Sequence, residues 1–504
     1  MTTIDESSTR KAPAAPGAIE ANGINVIDES ERKGTPAGLF WPWCASNISV
    51  LAVSYGAFII SFGVSFGQAV VAGALGVVVG FLLVGLVSIA GKRGSAPTLI
   101  LSRAPFGRYG NSMPGVVSYC LLVGWETVLV SLSTKAVATV FRQLGWSSGD
   151  GVKIIAFVIV AAAIVGAGVL GFDTIMRLQR WLTVAMVIVT AVYIALTMDE
   201  IHMSKVNDLA SGPTAAVVGA AILVLTGFGL GWVNTAADYS RYLPRSTRAG
   251  GVVFWPTFGG SLPVLILVGY GLLLCASSSS LSDAVSNDPI GGLATVLPDW
   301  FLVPFVLVAV AGLISGAILD LYSSGLTLLS LGLPVPRFVA ASIDGVLMIL
   351  GTIYIVWVAA GSFLGIFEGF LITLGVPMAA WCGVFLADLL LRRRDYDEPS
   401  LFTARGRYGA VGWPAFVLMA LATGIGWGLV VEPYGAKGLG WLGYLLDPVG
   451  FSGGKTGAWA FANLGVPLAL VIGFVGYLLV GAAAVRRQER QPRRDETEAQ
   501  PASA

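Results

Sequence analysis

The stretch GFGLGWVNTAADYSRYLP, Gly227 to Pro244, begins as the end of an apolar run and finishes in charge. Three glycines and two large aromatics fall within its first six residues, and Asp238 and Arg241 follow. Glycine weakens a helix, and backbone freed at membrane depth persists only where protein or a water-filled cavity satisfies it. The stretch therefore reads as a membrane helix loosened at its middle, with a polar end.

Composition sets the frame for that reading. The chain has 504 residues, 55% hydrophobic and 12% charged, with a mean hydropathy of +0.80. Soluble domains carry about 25% charged residues. The apolar excess runs along most of the chain, so one buried core cannot absorb it, and the class is an all-α integral membrane protein. A net charge of +1 gives no basic field, and nucleic acid is not an expected partner. The four cysteines are far apart and read as small buried side chains; His202 lies in a polar loop. No metal site, catalytic residue or cofactor is expected from them.

Between a polar segment at 1–38 and a charged one at 486–504, twelve runs approach the ~20 residues that cross a hydrocarbon core. They centre roughly on 56, 79, 126, 162, 187, 226, 263, 313, 350, 377, 422 and 471. Residues 1–38 are expected to be a disordered tail without a cleavable signal, and 486–504 a second tail. With the N-terminus inside, the cytoplasmic loops hold fifteen Lys and Arg, and the outer loops hold five: Arg142, Lys153, Lys205, Lys437 and Lys455. An even number of spans puts both termini on that basic, cytoplasmic side, in agreement with the charge bias.

The first span, NISVLAVSYGAFIISFGVSFGQ (Asn47–Gln68), is as rich in glycine and hydroxyls as the sixth. Two interrupted helices at equivalent places point to inverted repeats with a site near the midplane. Small residues also serve plain helix packing, which leaves that alternative open on glycine alone. Rings and acids weigh against it. Trp125 sits at mid-span, and Phe228 and Trp232 are one turn apart, so flat faces could enclose a planar heterocycle. Glu126, Asp320 and Glu368 are acids inside spans, and Lys135 is a base inside one. An acid at mid-bilayer costs about 2.5–3.5 kcal/mol even on a lenient scale. A carboxyl kept from water can hold a proton and release it when water arrives, which suits Asp320 and Glu126.

Four blocks resemble the purine–cytosine permeases of the nucleobase–cation symporter family. They are SFGVSFGQ in the first span, LSRAPFGRYG (Leu101–Gly110) followed by VGW, the opening stretch, and FEGFLITLGVPMAAW with ADLLLRRR after it. The resemblance implies two inverted five-helix repeats, about 39–200 and 210–395, plus two extra helices at about 410–485. Helices 1 and 6 would be broken and the substrate would lie between them and helices 3 and 8. It implies that Trp125 stacks on a base and that Phe228 and Gly229 close its other face; Ser54, Glu126 and Asp320, read from the residues themselves, are the further candidates for the substrate site. It implies a hydroxyl cation ligand at Ser315, with Asp320 and Glu368 further candidates for cation coupling. Arg103, Asp238 and Arg241 would form the inner gate. Relatives tend to carry Asn-x-x-x-Asn-Leu-Tyr in the eighth helix, where this chain has Gly316 and Asp320 before Leu321 and Tyr322. An amide both donates and accepts, whereas a carboxylate only accepts.

The expected function is thus import of a cytosine- or purine-type nucleobase through the cell membrane by cation symport, proton favoured over sodium. The alternative is another small heterocycle of the pyridoxine, hydroxymethylpyrimidine or allantoin type. The partners expected are that planar substrate, a coupling cation and the lipid bilayer. A membrane enzyme is disfavoured because no nucleophile motif or phosphate loop occurs, and GFGLG lies in a hydrophobic span rather than a strand–helix unit.

Overall fold

The computed structural model describes residues 23–147, 149–170, 172–359, 363–432, 438–450 and 453–491. Residues 1–22 and 492–504 of the two expected tails, and the loop residue Lys437, lie outside them. Helices occupy all twelve expected centres. We number them α1 (α1a Phe40–Asn47, α1b Val50–Ile60), α2 (Phe66–Gly94), α3 (Ser112–Gln143), α4 (Asp150–Leu170), α5 (Phe172–Thr197) and α6 (Thr214–Ser240). There follow α7 (Ala249–Ala276), α8 (Asp299–Ser330), α9 (Arg337–Ile353), α10 (Phe363–Leu391), α11 (Trp413–Trp427) and α12 (Gly465–Val480). Among the described residues nine helices are long and apolar enough to cross a membrane; α1 joins them as a pair bent by 64°. The shorter α11 and α12 pack on each other and on α10, outside the two five-helix repeats.

The repeats interlock through equivalent members. α2 runs along α7, and α3 runs along α8. Backbone contacts draw α1b to α7: a Cβ built on Gly56 would stand 2.1 Å from the carbonyl carbon of Gly271. A Cβ on Gly229 would stand 1.9 Å from that of Gly80, which seats α6 on α2. Only a hydrogen side chain permits either approach.

The breaks are real, but one is not where glycine pointed. In α6 the helix interrupts at Phe228 (φ −119°, ψ −100°), inside GFGLG as expected. In α1 it interrupts at Ile48 and Ser49 (ψ 75° and 145°), before the glycines of the first span. Ser49 caps α1b by accepting the Leu51 N–H at 3.3 Å. The helix Phe40–Asn47, which apart from Asn47 was left outside the expected first span, forms its first half, while Gly63 lies beyond α1 and Gly67 lies in the first turn of α2.

The polar segment before α1 also departs from expectation. From Gly23 onward it packs across the basic end of the bundle instead of forming a free tail. Ile27 is fully buried, and its N–H donates to the Ser95 carbonyl at 2.8 Å. Gly34 N–H donates to Tyr242 O at 3.0 Å. Glu29 and Glu398 meet Arg32 and Arg245 in a four-member ion network, with Arg245 to Glu29 at 3.2 Å. At the other terminus a helix continues through Ala482–Arg490, and Glu489 accepts the Arg393 and Arg394 N–H groups at 2.8 Å. The second tail therefore starts later than residue 486.

Candidate substrate-binding site

The two breaks face each other across a cavity of about 50 Å³. That is room for a few waters, so the site is nearly closed. α1 contributes Ser46, Asn47, Ser49, Leu51, Ala52 and Tyr55; α3 contributes Trp125 and Leu129. Gly227, Phe228 and Trp232 come from α6, and Gly312, Gly316 and Asp320 from α8. Breaking two helices here leaves main-chain groups without their helical partners at mid-depth, which a purely spanning helix could not tolerate.

Aromatic contacts fix the walls. Trp125 meets Phe367 and Phe370 of α10 edge-on, with centroids 5.3 and 5.9 Å apart. Phe228 packs on Tyr55 at 4.4 Å, and Trp232 meets Trp43 at 5.7 Å, edge to face. Phe228 and Trp232 both line the cavity, as their one-turn spacing suggests. At the polar side, Asn47 donates to Trp43 O at 2.8 Å and to Ser46 Oγ at 2.9 Å, so its amide is pre-oriented. Asp320 is 1% exposed, and its Oδ2 has no hydrogen-bond partner among the described residues.

Of the expected substrate residues, the structure gathers Trp125, Phe228 and Asp320. It does not gather the others. Glu126 is turned out of the cavity and accepts from Ser324 Oγ of α8 at 2.9 Å. Consecutive helical residues are 100° apart, so Glu126 cannot share Trp125's direction. Gly229 is spent on the contact with Gly80. Ser54, fully buried, donates to the Pro289 carbonyl at 3.1 Å, tying α1b to the short helix Pro289–Ala294 that crosses the end opposite the termini. Glu368 lies on α10, where Asn463 Nδ2 donates to it at 3.4 Å, and it does not line the cavity. Ser315 does reach helix 1: its hydroxyl donates to Ala45 O at 3.2 Å, and it also bonds the Gln179 side chain.

The three expected gate residues all sit buried at the basic end, each with its own partners. Arg103 donates to Ser330 O at 2.6 Å and Leu401 O at 3.1 Å. Asp238 accepts from Thr98 N at 2.8 Å and Thr98 Oγ1 at 2.9 Å. Arg241 donates to Gly23 O at 2.8 Å and to the Tyr322 hydroxyl at 2.9 Å. Together they join α6, α8, the loop before α3 and the N-terminal segment.

Sequence reading passed over Asn47, Tyr55 and Ser46 at the first break, Gln179 on α5, and the buried acid Asp344 on α9. An asparagine amid WPWCASNISV was the available signal for the first of these. Asp344 was legible as a fourth acid inside a span, because the run around it is as apolar as its neighbours.

Comparison with known proteins agrees with this architecture. A family model described as permease for cytosine/purines, uracil, thiamine, allantoin matches residues 26–446. YxlA of Bacillus subtilis, provisionally named a purine-cytosine permease, is 23% identical over 80% of this chain and 87% of its own. The Saccharomyces cerevisiae purine-cytosine permease FCY2 is 24% identical over 88% of this chain and 84% of its own. Among solved structures, the nucleobase-cation-symport-1 family transporter Mhp1, closed with bromovinylhydantoin bound, superimposes with a TM-score of 0.68 at 18% identity. That likeness covers 93% of this chain and 95% of Mhp1. The match spans both helix breaks and every residue that lines the cavity: this chain belongs to the family of permeases for cytosine, purines, uracil, thiamine and allantoin.

Proposed function

We propose that the protein imports a nucleobase of the cytosine or purine type across the cell membrane, coupled to a cation, with the proton favoured over sodium. Both termini then lie in the cytoplasm, where the basic loops lie. The observation that carries this reading is the cavity itself. An indole, a phenyl ring and an unpartnered carboxyl converge between two broken helices, and that set fits a flat heterocycle with hydrogen-bonding edges. Trp125 stacks on the ring, Phe228 closes over it, and Asn47 and Asp320 read its edge.

Alternating access follows from the ties at the two ends. On the outer side, Ser54 holds Pro289; on the inner side, Arg103, Asp238 and Arg241 hold their neighbours. Release of one set admits the base and release of the other discharges it. Asp320 is the group assigned to carry the proton, since it faces the cavity and has an oxygen free to meet ligand or water. Glu126 becomes a positioning residue, which fixes α8 through Ser324. Glu368 has no place in the coupling.

The same carboxyl supports a second reading. An ionised Asp320 accepts only, where an amide would do both, so the substrate would be rich in donors: a pyridoxine, hydroxymethylpyrimidine or allantoin-like compound. Uptake of labelled cytosine, adenine, hypoxanthine, allantoin and pyridoxine in a strain lacking its own permeases separates the two. Clear uptake of a base supports the first. Uptake of the vitamin or ureide with none of any base replaces it with the second, and binding without accumulation would make the protein a receptor.

A further inference from the structure

Glu126 accepts from Ser324 of α8 with one oxygen, and the other, Oε2, is buried without a hydrogen-bond partner among the described residues. Asp344 of α9 faces it, fully buried, with both carboxyl oxygens in the same condition. The Tyr119 hydroxyl, two turns before Glu126 on α3, is the third group at this place, and it too is buried without a partner among them. α9 lies close on α3 here: a Cβ on Gly351 would stand 2.8 Å from Thr127 Oγ1. Two carboxylates can only accept, so their facing oxygens repel unless something stands between them. A charged acid at mid-bilayer also costs about 2.5–3.5 kcal/mol on the lenient scale. Neither acid has an ion-pair partner among the described residues. Arg337, at the basic end of α9, lies two turns from Asp344 over the Tyr322 ring, and Lys135 is nine residues past Glu126. The other titratable groups facing this place are Cys120 beside Tyr119, and Asp320 of α8; α4 meets α9 at Gly345 with the apolar Val165. A metal ion wants several converging ligands, and among the described residues no three acids converge to supply them.

We propose that Glu126 and Asp344 form a proton-binding site behind the cavity wall, in which the two carboxyls hold one proton between them and Tyr119 closes the site towards the basic end. One proton satisfies the facing oxygens. Ser324 donates to one oxygen of Glu126, the shared proton bridges the other to Asp344, and the Tyr119 hydroxyl is the donor at hand for the remaining Asp344 oxygen. The negative charge that is left is spread over two groups, each beside a hydroxyl. The pair lines no part of the cavity, yet both acids act electrostatically on Asp320, which does. The site itself stands without the transport reading; its bearing on uptake through Asp320 rests on it.

Infrared spectroscopy of the purified full chain in detergent at neutral pH tests this, because a protonated carboxyl is read by its C=O stretch. Glu126→Gln combined with Asp344→Asn should remove the intensity of one protonated carboxyl. Either substitution alone should remove little, because the acid that remains keeps the proton. An unchanged band in the double variant would mean that both acids are ionised in the wild type. Losses that add, one carboxyl for each single substitution, would mean that no proton is shared; either result overturns the proposal. Exchanging choline chloride for sodium chloride should leave the band in place, and a band that sodium abolishes would give the site to a metal cation instead. If the double variant does not fold, Tyr119→Phe serves: loss of the hydroxyl should shift the band, and an unmoved band counts against the site. In proteoliposomes Asp344→Asn should displace the pH profile of heterocycle uptake, and an unmoved profile refutes the link to Asp320. Absence of any heterocycle uptake by the wild type refutes the transport reading and leaves the infrared result to stand.

Discussion

Trp125→Ala is the sharpest test of the cavity. The indole is held by edge-on contacts with Phe367 and Phe370 and borders the space between the helix breaks. Stacking of a base on an aromatic side chain is worth about 1–3 kcal/mol by alanine substitution. At 1.4 kcal/mol per decade, that predicts roughly a 5- to 150-fold loss of affinity. Removing a buried tryptophan also costs about 3–5 kcal/mol of stability, so a weak variant could simply be a poorly folded one. Trp125→Phe controls for this: it keeps a ring in the wall, and it should lose less than the alanine variant. The assay is equilibrium binding of the labelled base to purified protein, alongside size-exclusion profiles in detergent. An alanine variant that is monodisperse and binds within about twofold of wild type would refute the stacking argument.

Four further outcomes follow from the same geometry. Asp320→Asn should flatten the pH profile of uptake and shift selection towards neutral bases; an unchanged profile with unchanged selectivity makes Asp320 structural. Gly229→Ala should abolish folded protein, because its Cβ would lie 1.9 Å from the Gly80 backbone, whereas Gly231→Ala, 3.1 Å from Trp125 Nε1, should fold and bind more weakly; expression with binding measures both. Tyr322→Phe removes one partner of Arg241, worth about 0.5–1.5 kcal/mol, and should speed thiol labelling from the basic end by a few fold. Ser54→Ala frees the Pro289 carbonyl and should do the same from the other end, with no effect on the basic one.

Much of the fold was legible because the rules of the bilayer are strict. Length and hydropathy gave twelve helices, and the glycines of GFGLGW located the break in α6. The other break was misplaced because glycine was taken as its marker. Gly56 is a packing contact with Gly271, and the chain unwinds instead at Ile48 and Ser49 behind a self-bonded asparagine. Sites suffered the same one-residue errors. Tyr55 lines the cavity where Ser54 was expected, and Phe228 and Trp125 face it as expected while their neighbours Gly229 and Glu126 do not. Direction around a helix decides these cases, and an unaligned sequence fixes that direction poorly once a helix is broken. Gln179 escaped because it sits between Arg177 and Arg180, so that stretch reads as the charged end of a span. Its burial depends on how α5 leans against α8, which is a tertiary fact.

The two glycine contacts have a mechanical meaning. Gly56 on Gly271 joins α1b to α7, Gly80 on Gly229 joins α2 to α6, and α2 runs along α7. Where backbone touches backbone there are no side chains to slip past one another, so the proposed transport cycle would carry these four helices as a single casting. α3 and α8 belong to a second one, and the cavity is the parting line between the two. In the proposed transport cycle, moving one casting against the other leaves the glycine seams intact and strains the hydroxyl and guanidinium latches at either end, together with the Ser315–Ala45 bond between them. On that proposal the height of the switching barrier is written in a handful of hydrogen bonds, and single-atom changes at Ser54, Tyr322 or Thr98 reset the pace of the whole machine.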